Sequence, residues 1–167
     1  MITGIAAVAR NGAIGKGGQM AWHYSADMKF FRETTTGHIV VMGRKTWLSL
    51  GKPLKNRVNV VLSRDPELKV TEGVVVCRNV DEVLRLYDEK ELFIIGGAQI
   101  YSLFLPHIDK WFVTEVPLTV EGADAFMPSG YLDGFIERSS IQLDTDLIVK
   151  QYDRSASLQL STAETQS

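Results

Sequence analysis

Ile39-Val40-Val41-Met42-Gly43-Arg44-Lys45-Thr46-Trp47 opens as an unbroken apolar, β-branched run, halts at glycine and continues with residues able to open a helix. An unbroken run suits a strand covered on both faces, whereas a strand with one wet face alternates. The same grammar returns at Leu92-Phe93-Ile94-Ile95-Gly96-Gly97-Ala98-Gln99-Ile100-Tyr101. Outward from these two stretches, residues 2–8, 58–62, 74–77 and 111–116 read as further strands. Helices are expected near Ser25, Arg44 and Ala98, with Ser25 as a cap, and behind the cap residue Asn79, where Val80, Val83, Leu84 and Tyr87 form one apolar stripe. Strand and helix patterns alternate to about residue 105, which predicts a three-layer α/β domain with a predominantly parallel sheet. The last third differs. Residues 136–143 and 147–152 flank Asp144-Thr145-Asp146 as a hairpin, so the sheet is expected to be mixed. One domain over residues 1–154 and a polar tail over 155–167 complete the plan.

The 167 residues suffice for one self-supporting core, with 45% hydrophobic and 23% charged residues. Eighteen basic against twenty acidic side chains, a formal charge of −2, provide no global positive field, so nucleic-acid binding is not expected and any anion site must be local. No apolar run is long enough for a bilayer, and Met1 to Ala9 lack the basic leader of a secretory signal. Cys77, the single cysteine, sits in the apolar run Val74-Val75-Val76-Cys77 and reads as a small buried hydrophobe. A reducing, cytoplasmic setting is expected. His23, His38 and His107 show no metal-ligand spacing, and no metal site is expected.

The glycine-rich stretch from Gly12 to Gly18 fails as a phosphate loop, because Arg10 and Gly17 stand where glycine and a hydroxyl residue are required. A strand-to-helix surface loop is the remaining reading. Gly96-Gly97 is either a tight turn or a place where backbone approaches a ligand, with a helix start offering free N–H groups. Arg44 and Lys45 open a helix whose dipole opposes them, which favours an anion between them. Leu62-Ser63-Arg64 ends another strand, and strand ends are where ligands gather in open α/β sheets. Asp27 falls in a helix's first turn, where the dipole alone would favour it. Yet it shares a face with Phe30, Phe31 and Thr34, and a carboxylate on an apolar side is costly without a partner.

From Met1 to about Arg154 these residues resemble dihydrofolate reductases of the bacterial chromosomal type. The likeness rests on Ile5-Ala6-Ala7, Ile14-Gly15, Trp22, Asp27 with Phe31, Met42 to Trp47, Gly51-Lys52-Pro53-Leu54 with Arg57, Leu62-Ser63-Arg64, Ile95-Gly96-Gly97 with Tyr101, and Thr114, in the family's order. It implies an eight-stranded mixed sheet with about four helices, a cis peptide between Gly96 and Gly97, and NADPH-dependent reduction of 7,8-dihydrofolate to tetrahydrofolate. Hydride would go to C6 and a proton to N5. Asp27 would bind the pterin with support from Thr114, and Met20, Trp22 and Tyr101 would border the chemistry. Ile5, Ala6, Ala7, Met28, Phe31, Leu50, Leu54 and Ile95 would shape the substrate pocket. Arg57 would hold the glutamate α-carboxylate, with Arg32 and Lys52 at the rim. Ala7, Ile14, Gly15 and Met20 would meet the nicotinamide end of NADPH. Gly43, Lys45, Thr46, Ile95, Gly96, Gly97, Ala98, Gln99, Ile100 and Tyr101 would cradle the diphosphate, while Arg44, Leu62, Ser63 and Arg64 would face the adenosine 2′-phosphate. The resemblance further implies a monomer inhibited by antifolates.

The chain departs from the pattern where prolines are usual, at Ala21 and Ser25, and at Lys55-Asn56 before Arg57, where asparagine tolerates positive φ. Gln99 stands where some relatives carry an arginine, and the 122–128 loop is altered. Two rivals stay open: a same-fold reductase acting on another pyrimidine or pterin, and a non-catalytic nucleotide-binding module. Turnover with dihydrofolate and each nicotinamide cofactor separates all three.

Overall fold

The computed structural model describes residues 1–155, so the expected tail lies, from residue 156 onward, outside the described residues. Its strands are β1 (Ile2–Ala9), β2 (Ala13–Gly15), β3 (Ile39–Gly43), β4 (Val58–Leu62), β5 (Val75–Cys77), β6 (Leu92–Ile94), β7 (Lys110–Val116), β8 (Ala125–Phe126), β9 (Phe135–Asp144) and β10 (Leu147–Arg154). The helices are α1 (Ser25–Thr35), α2 (Arg44–Leu50), α3 (Val80–Leu86) and α4 (Ala98–Phe104), with a 3-10 turn at Leu105–His107. Eight strands form one sheet in the order β5-β4-β3-β6-β1-β7-β10-β9. Pairing is parallel from β5 through β7, while β10 is antiparallel to both β7 and β9. The mixed sheet and hairpin expected from the sequence are both present.

Buried side chains lie on two faces. Toward α1 and α2, Ile5, Val40, Met42, Trp47, Val61 and Phe93 pack with Phe30 and Phe31. Toward α3 and α4, Val41, Val60, Val83, Ile94, Tyr101, Phe104, Trp111 and Val113 form the larger core. The central strands are apolar throughout because both sides are covered. Asn79 caps α3 as expected, its side chain accepting from the Glu82 N–H at 2.8 Å.

Ser25 does not cap α1. Tyr24 holds the extended backbone of the cap position, and its carbonyl accepts the Met28 N–H at 3.1 Å, which leaves Ser25 as the first helical residue. A short feature escaped the sequence reading: β2 and β8 pair as a separate ribbon inside two segments expected to be loops.

The chain's path brings several strand ends together. From β3 it runs outward to β5, returns to place β6 between β3 and β1, then adds β7 on the far side of β1. Parallel strands β3, β4, β6 and β1 thus end at one edge beside a reversal in strand order, where open α/β sheets bind ligands.

Gly4 tests the back core. A Cβ there would lie 2.4 Å from the Trp111 ring, which is fully buried. Gly4→Ala should therefore cost about 1–3 kcal/mol through overpacking. Urea unfolding measures this, and an unchanged midpoint would mean that the indole has room to move.

Candidate active site

Asp27 lies in the first turn of α1, half-buried, and its Oδ1 accepts a 2.6 Å hydrogen bond from Thr114 Oγ1. Thr114 is a buried residue of β7 in register with Ala7 of β1, so the carboxyl group stands over the sheet's central strands. Burial pushes the Asp27 pKa up, and the Thr114 hydroxyl pulls it part of the way back. Around this group, Ile5, Phe31, Leu50, Leu54 and Ile95 join one apolar cluster, and Met28 is exposed. Ala6 packs in the opposite core with Val8 and Trp111, leaving only its main chain on the Asp27 side. Trp22 buries its indole N–H without a partner among the described residues, a donor available to water or a ligand.

Beyond Phe31 and Thr35 of α1, Arg57 is held by three contacts. Its Nη1 donates to Thr35 Oγ1 at 3.1 Å, its Nε donates to the Lys55 carbonyl at 2.9 Å, and its guanidinium lies 5.9 Å from the Phe31 ring centroid. Burial and the nearby Arg32 charge lower its pKa from the usual guanidinium value, which an anion between the two arginines would relieve. Asn56 adopts φ 60° in the preceding turn, as its type allows. Lys52 is exposed.

Asn59 was missed by the sequence reading. Buried in β4, it accepts from the Leu54 N–H and donates to the Leu54 and Arg57 carbonyls at 2.9, 2.9 and 3.1 Å. It thereby pins the loop that carries Leu54 and Arg57. The available signal was a lone amide inside an apolar strand, which must find partners when buried.

Across the sheet edge, the Gly43 N–H donates to the Gly96 carbonyl at 2.8 Å, and the Gly96–Gly97 peptide is cis. A Cβ on Gly43 would meet Ile100 Cγ1 at 2.7 Å, and one on Gly96 would meet the Tyr101 hydroxyl at 3.2 Å with φ +113°. Glycine is therefore demanded at both positions. The adjoining helices start at Arg44 and Ala98, and no side chain caps either one, so their first N–H groups have no side-chain acceptor. Lys45 and Gln99 are exposed and Thr46 is half-buried beside them. Leu62 and Ile100 are core residues. Tyr101 is buried and donates to the Ile5 carbonyl at 2.7 Å, and burial drives its pKa upward. Ser63 and Arg64 follow β4, and Arg44 ion-pairs with Asp65 at 3.5 Å. Uncapped helix starts, glycine-only backbone and the exposed cations Arg44, Lys45 and Arg64 form a donor set that fits a dinucleotide carrying phosphates.

Ile14 and Gly15 lie in β2, and Met20 follows it, 52% exposed. Residues 16–19 form a tight turn in which Lys16 and Gln19 exchange main-chain bonds of 2.8 and 3.2 Å. The altered 122–128 loop holds this segment. The Gly17 N–H donates to Asp124 Oδ2 at 2.9 Å, Lys16 Nζ donates to the Glu121 carbonyl at 3.1 Å, and the Met127 N–H donates to the Gly12 carbonyl at 2.9 Å.

Comparison with known proteins agrees with this geometry. The family model for dihydrofolate reductase matches residues 1–156. The type 3 dihydrofolate reductase of Salmonella typhimurium is 41% identical over 147 residues, 86% of this chain and 90% of that protein. The enzyme of Neisseria meningitidis serogroup A is 45% identical over 130 residues, 77% of this chain and 79% of that one. A solved structure of dihydrofolate reductase from Enterococcus faecalis, complexed with NADP(H) and RAB-propyl, superposes with a TM-score of 0.85 at 31% identity, covering 93% of this chain and 96% of that one. The chain belongs to the dihydrofolate reductase family, the NADPH-dependent oxidoreductases that convert dihydrofolate to tetrahydrofolate.

Proposed function

We propose that the Asp27–Thr114 pair is the pterin-binding and polarising element of an NADPH-dependent dihydrofolate reductase. The observation that carries this reading is the 2.6 Å bond from Thr114 Oγ1 to Asp27 Oδ1 on the half-buried, apolar side of α1. Thr114 occupies one carboxylate oxygen and leaves the other to accept from the amino and ring N–H groups of the pterin. Ile5, Phe31, Leu50, Leu54 and Ile95 would enclose the pterin and aminobenzoyl rings and exclude water, which strengthens each polar contact. Arg57, already held in place, would grip the glutamate α-carboxylate through its guanidinium fork.

NADPH, when bound, supplies hydride to C6 of the pterin. The glycine contact and the uncapped starts of α2 and α4 would hold its diphosphate, and Arg44, Ser63 and Arg64 its 2′-phosphate. Ala7, Ile14 and Met20 would border the nicotinamide, with the segment around Met20 closing the site. Asp27 polarises the ring while water delivers the proton to N5. The enzyme is read as a cytoplasmic monomer open to antifolates. No helix among the described residues is long and apolar enough to cross a membrane.

Asp27→Asn should fold, bind NADPH normally, and lose about a hundredfold or more in single-turnover hydride transfer near neutral pH. Acidic buffer should restore part of that rate, because solvent then protonates the substrate. The same variant should unfold at higher temperature than the parent at neutral pH. A carboxyl group whose pKa is raised by folding contributes stability below its unfolded pKa and loses that contribution as pH rises through the folded value. The thermal advantage should therefore narrow in acid. Near-normal neutral turnover would remove Asp27 from the mechanism.

Thr114→Val removes the one contact that lowers the Asp27 pKa, so the Asp27 titration, followed by carboxyl infrared absorption, should move to still higher pH. Replacing Arg44 and Arg64 together by glutamine should weaken NADPH by about a hundredfold and NADH far less. Equal losses would place these arginines away from the 2′-phosphate.

A further inference from the structure

Asp65 stands among the groups assigned above to the 2′-phosphate. The turn after β4 fixes it. Its Oδ1 accepts the Glu67 N–H at 2.9 Å, its own N–H donates to Ser63 Oγ at 3.2 Å, and its carbonyl accepts the Leu68 N–H at 3.3 Å. Its Oδ2 lies 3.5 Å from Arg44 Nη1. The aspartate side chain is 29% exposed and the arginine 55%, so the acid is the better-anchored partner. Arg64 is exposed and makes no ion pair among the described residues.

This edge therefore carries two opposed instructions. Guanidinium groups suit a ribose 2′-phosphate, while a fixed carboxylate suits a ribose 2′-hydroxyl, which donates to it. A phosphate received by Arg44 must sit close to the Asp65 charge and compete with it for the same guanidinium. Like charges a few ångströms apart near the surface repel by an amount that changes affinity severalfold or more. A 2′-hydroxyl meets no such penalty and finds an acceptor already in place.

We propose that Asp65 is a cofactor-specificity residue that narrows the margin by which this site binds NADPH over NADH. The proposal rests on the 2′-phosphate lying against Arg44, Ser63 and Arg64. Asp65 opposes the phosphate directly and offers Oδ2 to the hydroxyl.

The variant that isolates the charge is Asp65→Asn. Asparagine keeps the Oδ1 acceptor that holds the Glu67 N–H, so the turn survives, and replaces Oδ2 with an N–H donor. Dissociation constants would be measured through tryptophan fluorescence for NADPH and NADH, and by calorimetry for adenosine 2′,5′-bisphosphate and adenosine 5′-monophosphate. In Asp65→Asn, NADPH and the bisphosphate should bind about tenfold more tightly, while NADH and the monophosphate weaken. The gain for the phosphorylated pair should shrink in high salt. Weaker binding of NADPH and the bisphosphate would show instead that Asp65 supports Arg44, and unchanged affinity ratios would remove it from the site; either overturns the proposal. Arg44→Gln provides the separate control. If it leaves the parent's affinity for the bisphosphate unchanged, the phosphate does not lie here, and the underlying placement falls together with the role given to Asp65.

Discussion

The hydrogen bond from the Gly43 N–H to the Gly96 carbonyl is the contact on which this architecture turns. It closes the ends of two parallel strands that are neighbours only because β6 is inserted after β5 has been laid down. Two helix starts without side-chain caps thereby follow neighbouring strand ends. Ile100 occupies the space where a Gly43 side chain would stand, so the core and the crevice share one steric condition. Bulk at this point would disturb packing on one side of the sheet and ligand approach on the other.

The chemistry proposed for Asp27 depends on a second compromise. Asp27 is kept where water is scarce, which costs stability in its charged form, and Thr114 returns part of that cost through one short bond. An acid that is half-desolvated, oriented and still able to ionise polarises a bound ring more strongly than an acid free in solvent. Functional groups of this kind are commonly stability losses that the remainder of the domain absorbs.

Much of this was legible in the sequence because it is local. Apolar runs ending in glycine announced β3 and β6, the stripe behind Asn79 announced α3, and the spacing of Asp27 with Phe30, Phe31 and Thr34 placed the acid on the apolar side of its helix. What stayed hidden depends on contacts between distant segments or on a choice between adjacent residues. Nothing near Gly17 indicates that its N–H will meet Asp124, 107 positions away. The strands β2 and β8, three and two residues long, fall below any periodicity. Asn59 could be recognised as unusual, but its partners could not be named. Ser25 was misread as a cap because residue type suggests a hydroxyl cap, whereas backbone conformation gave the position to Tyr24. Ala6 is expected at the substrate pocket with Ile5 and Ala7; strand alternation sends its side chain to the other face and leaves its main chain on the Asp27 side.

That alternation has an evolutionary consequence. Residues proposed to bear on the pterin project from one side of β1 and β7, while Gly4, Trp111 and Val113 knit the opposite side to α4. A lineage can therefore accumulate changes behind the sheet that raise or lower its tolerance of heat without rewriting ligand recognition. It can also alter the pterin side, for instance under pressure from a drug, while drawing on stability held in reserve behind it. The sheet acts as a partition between two selective histories written into the same strands.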